Sequence, residues 1–359
     1  MSQYNAASNQ EPVHSKARLV LYAAIFLIVA IAGLTYVKWV PYYHKAFDAA
    51  AKHSIGASIV SGTNPFAPSP SWSSAWEYAK AYYTSVWKAA VLGIVLGSLV
   101  QVLIPSAWLL RVLGKSNFKS TALAGVASLP GMMCTCCAAP LAVGLRKRNV
   151  SVGASLAFWL GNPTLNPATL IFMTFVLSWK FTLLRLVFGL ILTFGVSYFA
   201  NRFADRTMPP AQMDRLVEEQ SKLPSGSLLS RWLQSAWSMI LHIVPAYVIA
   251  VLLLGAARAW LFPAIGEAGA GGLLAIIGFA VAGTLFVIPT AGEIPIVQTM
   301  MSFGLGTGPA SALLLTLPAV SLPSLLMISK SFPRRVLFFV GFAVILLGIA
   351  CGLAGMLLL

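Results

Sequence analysis

The chain has 359 residues, of which 58% are hydrophobic and only 9% charged, with a mean hydropathy of +0.83. Soluble globular domains carry about 25% charged residues, so this composition excludes one and reads as an all-α polytopic membrane protein. The net charge of +15 falls in short clusters between apolar runs, as in cytoplasmic loops, and is no footprint for nucleic acid.

Residues 1 to 15 are polar. Lys16 and Arg18 then precede an apolar run, Leu19 to Thr35, with no small-x-small cleavage site after it, so it reads as an uncleaved first helix with a cytoplasmic N-terminus. Lys38 to Lys80 is a polar extramembrane segment with interfacial aromatics such as Trp72 and Trp76. Apolar stretches of bilayer length follow at about 86 to 110, 120 to 145, 151 to 178, 182 to 200, 232 to 256, 271 to 300, 306 to 328 and 336 to 358. The charge-mixed stretch Asn201 to Arg231 separates four of these from the other four. The expected organisation is an N-terminal unit over 1–83, a first membrane repeat over 84–200, a cytoplasmic linker over 201–231 and a second repeat over 232–359.

The halves read as repeats because Pro140, Gly153 and Pro163 align with Pro295, Gly308 and Pro318 at one offset of 155 residues (295 minus 140, 308 minus 153, 318 minus 163). Repeats of this kind are typical of secondary transporters. Charge sets their relative orientation. If every segment crossed, 11 Lys and Arg residues would lie inside and 13 outside, against the positive-inside rule. If the 120 to 145 and 271 to 300 segments instead enter and leave by one face, 16 lie inside and 8 outside. Each half then has three spanning helices and one re-entrant hairpin, and an odd number of crossings makes the repeats inverted.

Within the first hairpin, Pro130-Gly131-Met132-Met133-Cys134-Thr135-Cys136-Cys137-Ala138-Ala139-Pro140 places three thiols and two thioethers in eleven residues, between prolines expected to break a helix there. Sulfur ligands suit soft metals and metalloids, which makes Cys134, Cys136 and Cys137 the candidate ligands, with Met133 beside them. On a helix Cys134 and Cys137 share a face while Cys136 points away, so using all three needs non-helical backbone. Cys351 stands alone in the last apolar run and reads as a packing residue. Glu293, between Pro289 and Pro295, is the one carboxylate deep in an apolar segment; such groups mark ion or proton pathways, so it is the candidate coupling residue. The two Asn-Pro pairs in Gly161-Asn162-Pro163-Thr164-Leu165-Asn166-Pro167 interrupt the next run, and Asn162 and Asn166 are candidates to line a binding cavity. Gln298 and His242 are weaker candidates. No phosphate-binding glycine loop, Walker lysine or hydrolase triad is present, so neither ATP use nor an enzyme activity is expected, and no cofactor.

The proline-led Cys134-Thr135-Cys136, the following Pro140 and the cluster Leu145-Arg146-Lys147-Arg148 resemble a family of predicted permeases that includes bacterial organoarsenical efflux permeases and proteins assigned to soft-metal efflux. Glu293 and Pro295 resemble the acidic residue and proline of that family's second half. The likeness covers about residues 85 to 359, with two departures: Met132-Met133 stand where an aromatic is more usual, and Cys137 is extra.

The expectation is therefore a permease of the bacterial inner membrane carrying a small inorganic or organometalloid solute through a cysteine-lined midplane site by alternating access. The solute would be a trivalent metalloid, an organometalloid or a soft metal ion, and export as the direction is what the resemblance implies. Two alternatives stand beside it: uptake of a reduced sulfur anion such as thiosulfate, and a membrane thiol-redox carrier. The oligomeric state is left open.

Overall fold

Proline, glycine and asparagine divide the apolar runs into short helices, and where they do so decides the architecture. The computed structural model describes residues 16–62, 64, 67–204, 227–262 and 272–359; residues 1–15 and most of the expected linker lie outside them, as does the side chain of His242. The described residues are helical, with one isolated β-bridge between Ser58 and Gly62.

In chain order the helices are α1 (Lys16–Leu34), α2 (Val40–Lys52), α3 (Trp72–Leu103), α4 (Ser106–Leu113), α5 (Phe118–Ser128), α6 (Thr135–Lys147), α7 (Val152–Thr164), α8 (Pro167–Val176), α9 (Trp179–Leu190) and α10 (Ser197–Ala200). After the linker come α11 (Leu228–Leu261), α12 (Leu273–Leu285), α13 (Glu293–Ser302), α14 (Thr307–Ala319), α15 (Leu322–Ile328) and α16 (Arg334–Leu358). Six stretches among the described residues are long and apolar enough to cross a bilayer: Val20–Lys52, Trp72–Leu103, Trp179–Ala200, Leu228–Leu261, Thr307–Ile328 and Arg334–Leu358. Their outward side chains include large apolar ones, with Leu253, Phe338 and Leu357 all exposed, as suits a surface that meets lipid.

Helix boundaries recur at the offset that the prolines set. Phe118 and Leu273, Val152 and Thr307, Pro167 and Leu322, and Trp179 and Arg334 are paired helix starts, each pair 155 residues apart (273 minus 118, 307 minus 152, 322 minus 167, 334 minus 179). The ends Lys147 and Ser302, and Thr164 and Ala319, keep the same spacing (302 minus 147, 319 minus 164). Asn166 and Ser321 occupy equivalent N-cap positions, each side chain accepting from backbone N–H groups of the helix it starts. Packing follows this order: α5 lies on α7 as α12 lies on α14, and α6 meets α15 as α13 meets α8.

Two expectations need correction. The first helix does not stop at Thr35; it runs through a π-helical turn, Thr35–Trp39, into α2. The prolines also do not both break the cysteine segment: the break lies before it, and Pro140 sits inside α6. A mid-helix proline forfeits one backbone bond, and close packing of α6 on α3 holds the helix around it. Gly93 and Gly97 of α3 make that approach possible. A methyl on Gly93 would collide with the Cys137 carbonyl, and one on Gly97 would lie 2.6 Å from the Pro140 oxygen.

Candidate functional site

The first break is built by Leu129–Gly131, a short 3-10 turn, followed by Met132 in the left-handed conformation at φ 48°. A non-glycine residue there is uncommon and strained. The turn leaves backbone groups without helical partners, and side chains satisfy them. The Trp39 indole donates to the Pro130 carbonyl at 2.8 Å, the Met133 N–H donates to Asn162 Oδ1 at 3.4 Å and the Trp159 indole donates to the Thr135 carbonyl at 2.9 Å.

Cys134 is the N-cap of α6, in extended backbone, with its carbonyl accepting from the Ala138 N–H at 3.0 Å. One helical turn on, Cys137 returns to the same face, and the two sulfurs stand 3.0 Å apart. Cys136 turns elsewhere, its sulfur 3.7 Å from Ser321 Oγ at the start of α15. All three thiols are free and buried. No group of three or more His, Cys, Asp or Glu side chains among the described residues is placed to hold a metal ion, so the thiols form a pair and a separate third sulfur. The cause is that α6 is helical from Thr135 onward.

The second break, between α12 and α13, carries Ala291 at φ 66°, and the Tyr78 hydroxyl donates to its Val287 carbonyl. Glu293 opens α13 and is 1% exposed. Its Oε1 accepts from Arg185 Nη1 at 2.6 Å. Arg185, also 1% exposed, donates in addition to the Pro163 carbonyl at 2.8 Å and the Thr164 carbonyl at 3.3 Å. It thus takes up acceptors left open where α7 ends ahead of Asn166-Pro167, whose proline has no N–H to offer. Glu293 Oε2 and Thr169 Oγ1 are buried without a hydrogen-bond partner, and both residues line a cavity of about 10 Å³, space for one water, together with Cys134, Thr135 and Thr290.

Asn162 and Asn166 sit at this junction, yet their side-chain oxygens bond to backbone: Asn162 to Met133 N–H, and Asn166 to Ala168 and Thr169 N–H. Asn166 Nδ2 is buried and unpartnered. Met133 is buried in the apolar core. Gln298 bonds to the His53 carbonyl at 2.8 Å, away from the sulfur pair.

Two side chains that the charge balance counted only among the eight basic residues outside belong to the site. One is Arg185. The other is Lys38, 5% exposed, whose ammonium donates to Thr290 Oγ1 and to the Tyr42 hydroxyl, each at 3.0 Å. Thr290 in turn lines the small cavity together with Cys134, which puts the Lys38 ammonium one residue away from the sulfur site. Each is a single basic residue at the edge of an apolar run, a pattern that does not by itself tell a buried charge from one that flanks the bilayer.

Two larger vestibules flank the junction. One, of about 430 Å³, is lined by Lys38, Lys45, Ser58, Ser85 and Thr290 among others, and shares Pro289, Thr290 and Ala291 with the small cavity. The other, of about 610 Å³, is lined by Arg146, Lys147, Met239 and Lys330 among others. Among the described residues, neither lining includes an Asp or Glu. Two sulfurs 3.0 Å apart, one of them sharing a small cavity with the buried carboxylate Glu293, have the chemistry to hold a thiophilic group.

Comparison with known proteins agrees with a transport role. Residues 71–358 match the ArsP_1 family model, described as a predicted permease. The chain is 53% identical to UPF0718 protein YraQ of Escherichia coli K12, over 92% of this chain and 93% of that one. It is 22% identical to UPF0718 protein MJ0584 of Methanocaldococcus jannaschii, over 75% and 92%. No solved structure matches. On the extent of the family match and the identity to its bacterial relative, the chain belongs to the predicted permease family, as a multi-pass membrane protein.

Proposed function

We propose that this permease carries a soft, thiophilic solute by exchange on the Cys134–Cys137 pair, while two inverted repeats alternate its access to the two vestibules. The observation that carries the reading is the 3.0 Å separation of those sulfurs at a helix break, because two adjacent thiols chelate a trivalent metalloid or organometalloid better than any harder ligand set does. The linings, basic and with no carboxylate among the described residues, disfavour a bare soft cation relative to an uncharged metalloid hydroxide. The repeated helix boundaries support two halves of one design, and basic clusters such as Arg146 to Arg148 support a cytoplasmic position for the 610 Å³ vestibule. Export is the direction carried over from the resemblance. Glu293 is the coupling residue in this reading, with Arg185 as its counter-ion, and Asn162 and Asn166 hold the broken backbone around the pair.

A second reading, uptake of a reduced sulfur anion, draws on the same basic linings and on Lys38 beside the thiols. A flux panel of trivalent arsenite, a monomethyl arsenical and thiosulfate in proteoliposomes of both orientations separates the two. Movement of none of these would overturn both.

A further inference from the structure

The family model begins at residue 71, yet part of the site comes from before that point. α1 runs into α2 through the π-helical turn Thr35–Trp39. A π-bulge holds an extra residue, widens the turn and re-aims side chains, and such bulges gather at functional sites. Here it turns two consecutive residues onto the two helix breaks. Trp39 donates to the Pro130 carbonyl in the first break at 2.8 Å, and Lys38 donates to Thr290 in the second at 3.0 Å.

Lys38 is a buried cation without a carboxylate. The ion pairs among the described residues are Lys52 with Asp48 and Arg185 with Glu293, so Lys38 has only the Thr290 and Tyr42 hydroxyls and the Tyr42 ring, 5.0 Å away. A buried charge is costly unless it is compensated. What lies past its Thr290 partner, in place of a carboxylate, is the small cavity lined by Cys134 on one side and, on the other, an open vestibule that Lys38 and Lys45 both line. An ammonium so placed lowers the energy of negative charge moving between vestibule and thiols, and raises that of positive charge.

We infer that Lys38 is the charge-selecting residue of the sulfur site: the bulged N-terminal helix holds it between the two breaks, where it admits small anions to Cys134 and Cys137 and turns soft cations away. The inference rests on the permease reading for its biological meaning, but its physical content is tested without transport.

Purified full-length protein is treated with two methanethiosulfonate reagents of similar size, one bearing a sulfonate and one a trimethylammonium. In either case the thiolate displaces methanesulfinate and forms a disulfide, and peptide mass mapping reads the rate at Cys134. The wild type is expected to react about tenfold faster with the anionic reagent, the factor that about 1.4 kcal/mol provides. Lys38→Gln is expected to bring the ratio close to one, Lys38→Glu to invert it and Lys38→Arg to keep it. A wild-type ratio near one, a ratio indifferent to residue 38, or no reaction at Cys134 with either reagent overturns the inference. Should the variants fail to fold, the wild type alone decides: millimolar thiosulfate is expected to protect Cys134 from N-ethylmaleimide and tetramethylammonium is not, and equal protection by both overturns it. Loss of all flux in proteoliposomes, with labelling that still follows residue 38, would overturn the permease reading and leave this one standing.

Discussion

Arg185 and Glu293 meet at 2.6 Å with 1% of each exposed, and they come from helices on either side of the 201 to 231 stretch, 108 positions apart. One guanidinium thereby ties the start of α13 to the carbonyls of the kink between α7 and α8. Any relative movement of α9 and α13 at this level has to break or carry that bond.

Removing one partner of a buried pair leaves an uncompensated charge, which costs about 3–5 kcal/mol. Arg185→Met is therefore expected to lower the unfolding midpoint strongly in detergent. Replacing both, as Arg185→Met with Glu293→Leu, is expected to recover much of that loss, since apolar substitutes for buried pairs are often neutral or better. Flux is expected to stay absent in the double variant. Glu293→Gln keeps an acceptor for Arg185 but cannot release a proton, so flux that keeps its wild-type pH dependence in this variant would remove Glu293 from coupling.

Much of the frame was legible in the residues. The prolines set an offset of 155 and the helix boundaries keep it, because N-cap and proline chemistry is local and acts wherever those residues stand. Helical spacing separates Cys136 from Cys134 and Cys137, but the residues alone left open whether the backbone there is helical, and all three stood as candidate ligands. Arg185 and Lys38 were not legible. A lone basic residue near the end of an apolar run looks the same in sequence whether it flanks the bilayer or points inward, and the partners that decide, Glu293 and Thr290, lie 108 and 252 positions away. Pro140 misled for the opposite reason, since tertiary packing on Gly93 and Gly97 holds a helix that local propensity disfavours.

The sulfur pair predicts unequal roles for three neighbouring thiols. Cys134→Ser and Cys137→Ser are each expected to cut metalloid flux by about tenfold or more, a loss of about 1.4 kcal/mol per factor of ten. Cys136→Ser, whose sulfur faces Ser321, is expected to keep most of it. Equal losses in all three would mean that α6 unwinds during transport so that the thiols act together, and equal retention would remove sulfur from the mechanism. Flux into vesicles under reducing conditions reads this directly.

The glycines of α3 predict a contrast. Gly93→Ala drives a methyl into the Cys137 carbonyl, and backbone cannot move aside cheaply, so a destabilisation of about 1–3 kcal/mol is expected together with lost flux. Gly278→Ala in α12 meets nothing within 4 Å and is expected to be neutral or to stabilise by about 1 kcal/mol at most, through helix propensity. Denaturation midpoints of the two variants side by side check this, and a harmless Gly93→Ala would show that α3 and α6 are not held at that distance.

Ala291 tests whether the strain in the second break serves transport. A left-handed alanine costs about 1–2 kcal/mol, and glycine relieves it at about 0.5–1 kcal/mol of added backbone freedom, so Ala291→Gly is expected to be as stable as the wild type or slightly more so. Ala291 also forms part of the wall common to the 430 Å³ vestibule and the small cavity beside Cys134 and Glu293. If the strained turn keeps that wall in one shape until a solute arrives, glycine loosens it, and flux is expected to fall while stability does not. A melting curve and a flux measurement on the same preparation separate these outcomes: higher stability with full flux would make the left-handed turn a structural accommodation of Pro289 and Pro295 with no part in moving the solute.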